Sequence, residues 1–112
     1  MELLITERFF DEATVVLVVE GRLNAQTADA LKKRVKQLIA KHYIHLVLDL
    51  TEVSFIDSSG LSAIVAGLKA THEKAGSIKL VGLNSRTKQV FELTRLTKVF
   101  EFYPDVESAL SD

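Results

Sequence analysis

Residues 47–61 read VLDLTEVSFIDSSGL, and this stretch decides the fold. The apolar run His45–Leu50 predicts a strand buried on both faces, and residues 51–56 are expected to form a short loop after it. Aspartate and serine at residues 57–59 are typical of a helix N-terminus, where their side chains accept unpaired backbone N–H groups. An apolar stripe at helical spacing then follows: Leu61, Ile64, Val65 and Leu68. The stretch therefore predicts a strand, a loop and a helix that opens with a serine pair.

Strands and helices are predicted to alternate on both sides of this stretch. Further strands are expected at residues 3–10, 13–20, 77–81 and 99–103, and Gly21 is expected to end the second one. A helix is expected at residues 24–42, with Asn24 as its N-cap. Another is expected at residues 86–94, with Val90, Phe91 and Leu93 facing inward. A short terminal helix is expected to start with Pro104 in its first turn. Gly76 is expected at the C′ position of the serine-pair helix.

This order, ββαβαβαβα, predicts one α/β domain spanning residues 1–112. Strands linked through helices are parallel, whereas the first two strands are close enough in sequence to form an antiparallel pair. We therefore expect a mixed, mostly parallel sheet of four to five strands with about four helices.

Composition excludes or disfavours several function classes. The 112 residues include no cysteine, which excludes disulfides, thiolate metal sites and a cysteine nucleophile. The three histidines (His42, His45 and His72) are poorly spaced for zinc, so neither a metal nor a cofactor is predicted. A formal net charge of −1 disfavours nucleic-acid binding. No apolar run reaches the ~18 residues of a membrane span and the first residues are acidic, so a cytoplasmic protein without a signal peptide is expected.

The charges form separate stretches along the chain. Residues 32–45 carry only basic charges, from Lys32, Lys33, Arg34, Lys36 and Lys41. Residues 49–66 carry only acidic ones, from Asp49, Glu52 and Asp57, and residues 101–112 carry Glu101, Asp105, Glu107 and Asp112. Such runs usually form solvated helix faces, and the alternative is complementarity to a charged partner. The first acidic stretch surrounds the serine pair, which favours a partner surface there.

Ser58 has two interpretations from the residues alone. A phosphate on Ser58 could be held by the free amides of Ser59, Gly60 and Leu61, because a helix N-terminus favours an anion. The simpler interpretation is that Ser58 or Asp57 is an N-cap, which contributes about 1 kcal/mol to stability.

The stretch VLDLTEVSFIDSSGL resembles the central motif of the STAS-domain family, and more narrowly that of the bacterial anti-sigma factor antagonists. Supporting matches are Val19-Glu20-Gly21-Arg22-Leu23, Thr27-Ala28, Leu31 and Leu80-Val81-Gly82-Leu83. The resemblance covers essentially the whole chain and implies a single STAS domain over residues 1–112.

The resemblance implies a phosphorylation switch rather than an enzyme. The unphosphorylated antagonist binds an anti-sigma factor, which is also a GHKL-type serine kinase, and so frees a sigma factor. The kinase phosphorylates the antagonist, and a PP2C-type phosphatase reverses this. The implied acceptor is Ser58, and the implied partner-binding residues are Asn24, Asp57, Ser58, Ser59, Gly60 and Leu61. Asn24 stands where many antagonists carry aspartate, and the oligomeric state, including a weak homo-oligomer, stays open.

Three other functions are weighed against this one. A serine hydrolase needs Gly-x-Ser-x-Gly, but Ile56 occupies the first glycine position and His72 lies about four helical turns away. A phospho-receiver at Asp49 needs an acidic pair for Mg²⁺, but Glu20 stands alone after its strand. The third is a STAS-like subunit of a signalling scaffold or transporter. It would dock through a small-residue stripe (Ala63, Ala66, Gly67 and Ala70), which could instead let the helix lie close to the sheet.

Overall fold

Five strands and four helices alternate along residues 3–112, the part of the chain that the structure, a computed structural model, describes. They are β1 (Leu4–Phe9), β2 (Thr14–Leu23), α1 (Ala28–Ala40), β3 (His45–Ile56), α2 (Ser58–Glu73), β4 (Ser77–Val81), α3 (Ser85–Leu93), β5 (Glu101–Tyr103) and α4 (Val106–Ser111). The strands form one sheet in the order β1-β2-β3-β4-β5. The β1–β2 pair is antiparallel and the other pairs are parallel. The predicted α/β class and mixed sheet are confirmed.

The two faces of the sheet support two separate cores. In β2, the side chains of Val15, Leu17 and Val19 point into the larger core, which also contains buried residues of α1, α2 and α3. Val16 points to the opposite face and packs in a smaller core with Val47, Val81 and Ala109 of α4. Alternating burial on both faces explains why this strand appears in the sequence as a continuous apolar run.

Strands β2 and β3 are longer than predicted. The expected loop at residues 51–56 is wrong, because these residues continue β3 and pair with β2 as far as Leu23↔Ile56. Gly21 likewise lies inside β2 rather than at its end. The register shifts twice, and each shift inserts one extra residue into β3. The buried residues therefore recur every third position, at Leu50, Val53 and Ile56, instead of every second.

Three predicted helix details are also wrong. The first helix begins at Ala28, with Thr27 rather than Asn24 at the cap position, because a tight turn precedes it. The last helix is capped by Asp105, whose side chain accepts the Ser108 N–H at 2.8 Å, so Pro104 lies before it. Leu93 points to solvent with 77% of its surface exposed, because Phe91 occupies the inward face of α3.

The helices α1, α2 and α3 end in the same hydrogen-bond pattern, with a left-handed residue that is not glycine. His42, Ala75 and Arg95 have φ values of 74°, 60° and 62°. After α2, Ala75 N–H donates to His72 O and Gly76 N–H donates to Thr71 O, which is the Schellman arrangement. Gly76 was predicted at the left-handed position and lies one residue later. A Cβ on Gly76 would come 2.0 Å from the Ile44 carbonyl oxygen, so that close approach requires glycine.

The left-handed alanine gives a testable stability change. We expect Ala75→Gly to raise the free energy of unfolding by about 1 kcal/mol, because glycine removes the Cβ penalty of the left-handed region. Urea denaturation followed by far-UV circular dichroism measures the change. The matched control is Ala30→Gly, at an exposed position of α1, where the same exchange lowers stability by about 0.5–1 kcal/mol. Equal destabilisation by both exchanges would contradict the prediction.

Candidate functional site

Ser58 is the first residue of α2, and its side chain is exposed. The residue before it, Asp57, is the N-cap: its backbone is extended and its Oδ1 accepts the Gly60 N–H at 2.9 Å. The capping interpretation therefore applies to Asp57. Since Asp57 performs the capping, the Ser58 side chain is not needed for it and lies exposed at the start of the helix.

The turn that holds Ser58 is joined to the end of β2 through one carbonyl group. Asp57 N–H donates to the Leu23 carbonyl oxygen at 3.2 Å. Gly60 lies against the same oxygen, and a Cβ added there would approach it to 2.3 Å. The β2–α1 loop and the β3–α2 turn are thus in direct backbone contact.

Asn24 follows Leu23 and lies in a loop that is internally hydrogen-bonded. Its Oδ1 accepts the Gln26 N–H at 3.0 Å, and its own N–H donates to Thr27 Oγ1 at 2.9 Å. The buried Thr27 hydroxyl also donates to the Arg22 carbonyl oxygen at 2.7 Å. These bonds bend the chain back before α1 starts, which keeps Asn24 beside the Ser58 turn.

A cleft of about 270 Å³ separates the first turns of α1 and α2. Its lining consists of Ala25, Ala28, Asp29, Lys32, Ser58, Ser59 and Ser62. Asp29 was not among the predicted site residues, and Lys32 was predicted only as part of the basic stretch at residues 32–45. Both helices begin at the carboxyl edge of the parallel strands, so their first turns could have been expected to face each other.

The acidic surroundings of Ser58 differ from the prediction. Because β3 is extended through Ile56 at about 3.3 Å per residue, Asp49 lies on the order of 20 Å from the serine pair. The Asp49 carboxylate also accepts the Thr51 hydroxyl at 2.6 Å. Glu52 is closer, four residues before Ile56. The acids beside Ser58 are therefore Asp57, the N-cap of α2, and Asp29, in the first turn of α1.

Several charges of the other two stretches serve structural contacts. Arg34 forms an ion pair with Glu7 at 3.2 Å, which ties α1 to β1. Hydrogen bonds from the Ser108 hydroxyl and N–H lower the pKa of Asp105. In the same region, the hydrogen bond to Asp112 raises the pKa of Tyr103. The remaining basic side chains Lys33, Lys36 and Lys41 are solvent-exposed on or next to α1.

Two of the predicted partner-binding residues are buried. Gly60 contacts Leu23, and Leu61 is only 7% exposed in the larger core. Their part in the site is to position the turn, whereas the side chains of Ser58, Ser59, Asp57 and Asn24 remain wholly or partly accessible. The small-residue stripe of α2 faces α1: Ala66, Gly67 and Ala70 share a groove with Lys32, Val35 and Lys36.

The residues required by the competing functions are not brought together. Ser58 and His72 lie at opposite ends of α2, about 21 Å apart at 1.5 Å per residue. Within residues 3–112, no group of three or more histidine, aspartate and glutamate side chains could hold a metal ion. None of the helices described there is both long and apolar enough to cross a membrane.

Comparison with known proteins adds family evidence. A family model described as STAS domain matches residues 6–109, which confirms the resemblance predicted from residues 47–61. The chain is 34% identical over 91 residues to an anti-sigma-B factor antagonist of Listeria monocytogenes, covering 81% of this chain and 80% of that protein.

Two crystal structures are also similar. A Thermotoga maritima protein has a TM-score of 0.90 at 30% identity, covering 96% of this chain and 92% of that one. An anti-sigma factor antagonist of Mycobacterium paratuberculosis has a TM-score of 0.82 at 30% identity, covering 97% and 92%.

The contact at Gly60 predicts a large stability loss on a small change. We expect Gly60→Ala to lower the free energy of unfolding by at least about 2 kcal/mol, because the new Cβ would meet a backbone carbonyl that cannot move alone. The control is Gly67→Ala in the same helix, whose Cβ would meet the ends of two side chains, Ile78 Cδ1 at 3.2 Å and Val35 Cγ1 at 3.9 Å. That contact is offset by helix propensity, so little change is expected. Similar unfolding midpoints for both variants in urea would contradict the assignment.

Proposed function

Because the chain belongs to the STAS domain family, we propose that it acts as an anti-sigma factor antagonist. Its unphosphorylated form binds an anti-sigma factor and so releases a sigma factor, and phosphorylation of Ser58 ends the binding. The observation that carries this proposal is the exposed Ser58 hydroxyl at the start of α2, next to the capping Asp57. The relatives named as anti-sigma factor antagonists support the general role.

The partner-binding surface lies around the Ser58 turn. Asn24, Asp57 and Ser59 present accessible groups there, while Gly60 and Leu61 fix the backbone beneath them. A modification at Ser58 therefore falls inside the contact area rather than at its margin.

The charge of one phosphate is sufficient for such a switch. Phosphorylation adds about −1.5 to −2 charges at pH 7. One repulsion at about 4 Å with an effective dielectric of ~20 costs about 4 kcal/mol before salt screening. A hundredfold loss of affinity needs only about 2.7 kcal/mol. Asp57 and Asp29 already make the surroundings of Ser58 acidic, whereas Lys32 is the one cation lining the cleft in the part of the chain described.

The enzymes that would operate this switch follow from the family resemblance. The anti-sigma factor itself is proposed to be a GHKL-type serine kinase that uses ATP, and a PP2C-type phosphatase is proposed to restore the free serine. Asn24 is hydrogen-bonded within its own loop through its side-chain oxygen. Because the side chain is neutral, it offers the kinase a polar contact rather than a charge.

The alternative, a binding subunit of a signalling scaffold or transporter, is distinguished by the partner. A pulldown from the native cell that recovers a kinase-like anti-sigma factor supports the antagonist role. Recovery of a transporter ATPase supports the alternative.

Ser58 substitutions test the switch directly. We expect Ser58→Asp to weaken binding of the anti-sigma factor in titration calorimetry, because it places a negative charge in the contact. Ser58→Ala is expected to keep binding but to accept no phosphate when incubated with the kinase and ATP. Ser59→Ala is the matched control and should still be phosphorylated at Ser58, as mapped by mass spectrometry. Phosphate found at another residue, together with unchanged affinity of the aspartate variant, would overturn the proposal.

A further inference from the structure

Beyond the sheet proper, β2 and β3 continue as a two-stranded ribbon. The last pair between β3 and β4 is Asp49↔Val81, and β1 begins with Leu4↔Glu20. The pairs from Gly21↔Val53 to Leu23↔Ile56 lie past the strand pairs that both neighbours form within residues 3–112. This ribbon leads directly into the Asn24 loop on one strand and into the Ser58 turn on the other.

A register shift in the ribbon sets the pairing of Arg22 with Phe55. Gly21 pairs with Val53 and Arg22 with Phe55, so Ser54 is the extra residue of the shift. Such bulges redirect side chains and are frequent next to functional sites. The Arg22 guanidinium carbon lies 4.3 Å from the centroid of the Phe55 ring. Arg22 is exposed and Phe55 is half-buried, so both present surface to a partner.

The pair is held in a fixed position relative to Ser58. Phe55 precedes Ser58 by three residues, and the Arg22 carbonyl oxygen is held by the buried Thr27 hydroxyl at 2.7 Å. The next residue, Leu23, accepts the Asp57 N–H at 3.2 Å. The backbone positions of Arg22 and Phe55 are therefore fixed relative to the Ser58 turn.

The chemistry of the pair fits a binding anchor better than a stabilising contact. A guanidinium holds its N–H donors in one plane, from which they can donate to a planar carboxylate in two parallel bonds. Among the residues that the structure describes, Arg34 and Glu7 form an ion pair. No carboxylate there lies within salt-bridge distance of Arg22. Arginine and aromatic residues are also the types that most often dominate interface energy.

We propose that Arg22 and Phe55 form a specificity anchor for the anti-sigma factor, which binds a carboxylate of that partner on Arg22 and an apolar side chain on Phe55. This inference rests on the proposed function and extends it to the choice of partner. Arg22 carries a positive charge on the ribbon that leads into the Ser58 turn, and Asp57 carries a negative charge in that turn, so a matching partner must present the opposite order of charges. Ser58 would then decide when the partner binds, and the anchor would decide which one.

The test measures the affinity for the candidate anti-sigma factors of the same organism, by titration calorimetry of the full-length proteins. We expect Arg22→Ala and Phe55→Ala each to weaken binding at least tenfold. Arg22→Lys should also weaken it, because an ammonium does not reproduce the planar donor pair. The double variant should lose less than the product of the two single losses, since the two residues act as one anchor. Circular dichroism confirms that the variants are folded.

Controls separate this inference from the proposed function. Lys33→Ala removes an exposed charge on α1 and should leave affinity unchanged. If the wild-type chain binds and Ser58→Asp abolishes binding, but Arg22→Ala and Phe55→Ala bind as tightly as wild type, the anchor is overturned and the antagonist role stands. An equal loss with Lys33→Ala would also overturn it, because the effect would then be general electrostatics. Failure of the wild-type chain to bind at all would overturn both.

Discussion

The carbonyl group of Leu23 is the contact on which the site depends. It accepts the Asp57 N–H, and it lies so close to Gly60 that no side chain fits between them. Through this one group, the loop before α1 and the turn before α2 are locked together, although they are more than thirty residues apart in sequence. The relation of Ser58 to Asn24, and to the cleft below it, follows from that contact.

Charge acts locally in this molecule. The formal net charge of −1 results from cancellation between groups that lie far apart, such as the basic face of α1 and the acids at the chain's end. Among residues 3–112, Asp57 precedes Ser58 directly, and Asp29 and Lys32 are the charged residues that line the cleft beside it. Interactions between exposed charges fade beyond a Debye length of about 8 Å at physiological ionic strength. A phosphate is therefore a large change in its own surroundings, whatever the total charge.

The sequence was sufficient for the order of elements and for the position of the serine pair, because β-branched runs and helical stripes are local patterns. The sequence was insufficient where pairing with a distant strand changes the spacing of the buried residues. In β3, two extra residues move the buried positions to Leu50, Val53 and Ile56. Residues 51–56 therefore lack the alternating pattern of a strand and were predicted as a loop. The neighbourhood of Asp29 and Ser58 could not be predicted from either helix alone, since it arises from how α1 and α2 pack. No sequence pattern indicated that Ala75 would be left-handed, because the neighbouring Gly76 is the residue type expected in that conformation.

The division of work within the turn explains how a modified serine could leave the fold intact. If Ser58 were the N-cap, a phosphate would compete with a hydrogen bond that the helix needs, and the start of α2 would loosen. Asp57 carries that bond instead, and Gly60 and Leu61 anchor the next residues to β2 and the core. The Ser58 side chain therefore has no structural role, whereas its backbone is held in place by the neighbouring residues. A charge added there would change what the surface repels without breaking a hydrogen bond of the cap, which suits the reversible switch proposed for Ser58.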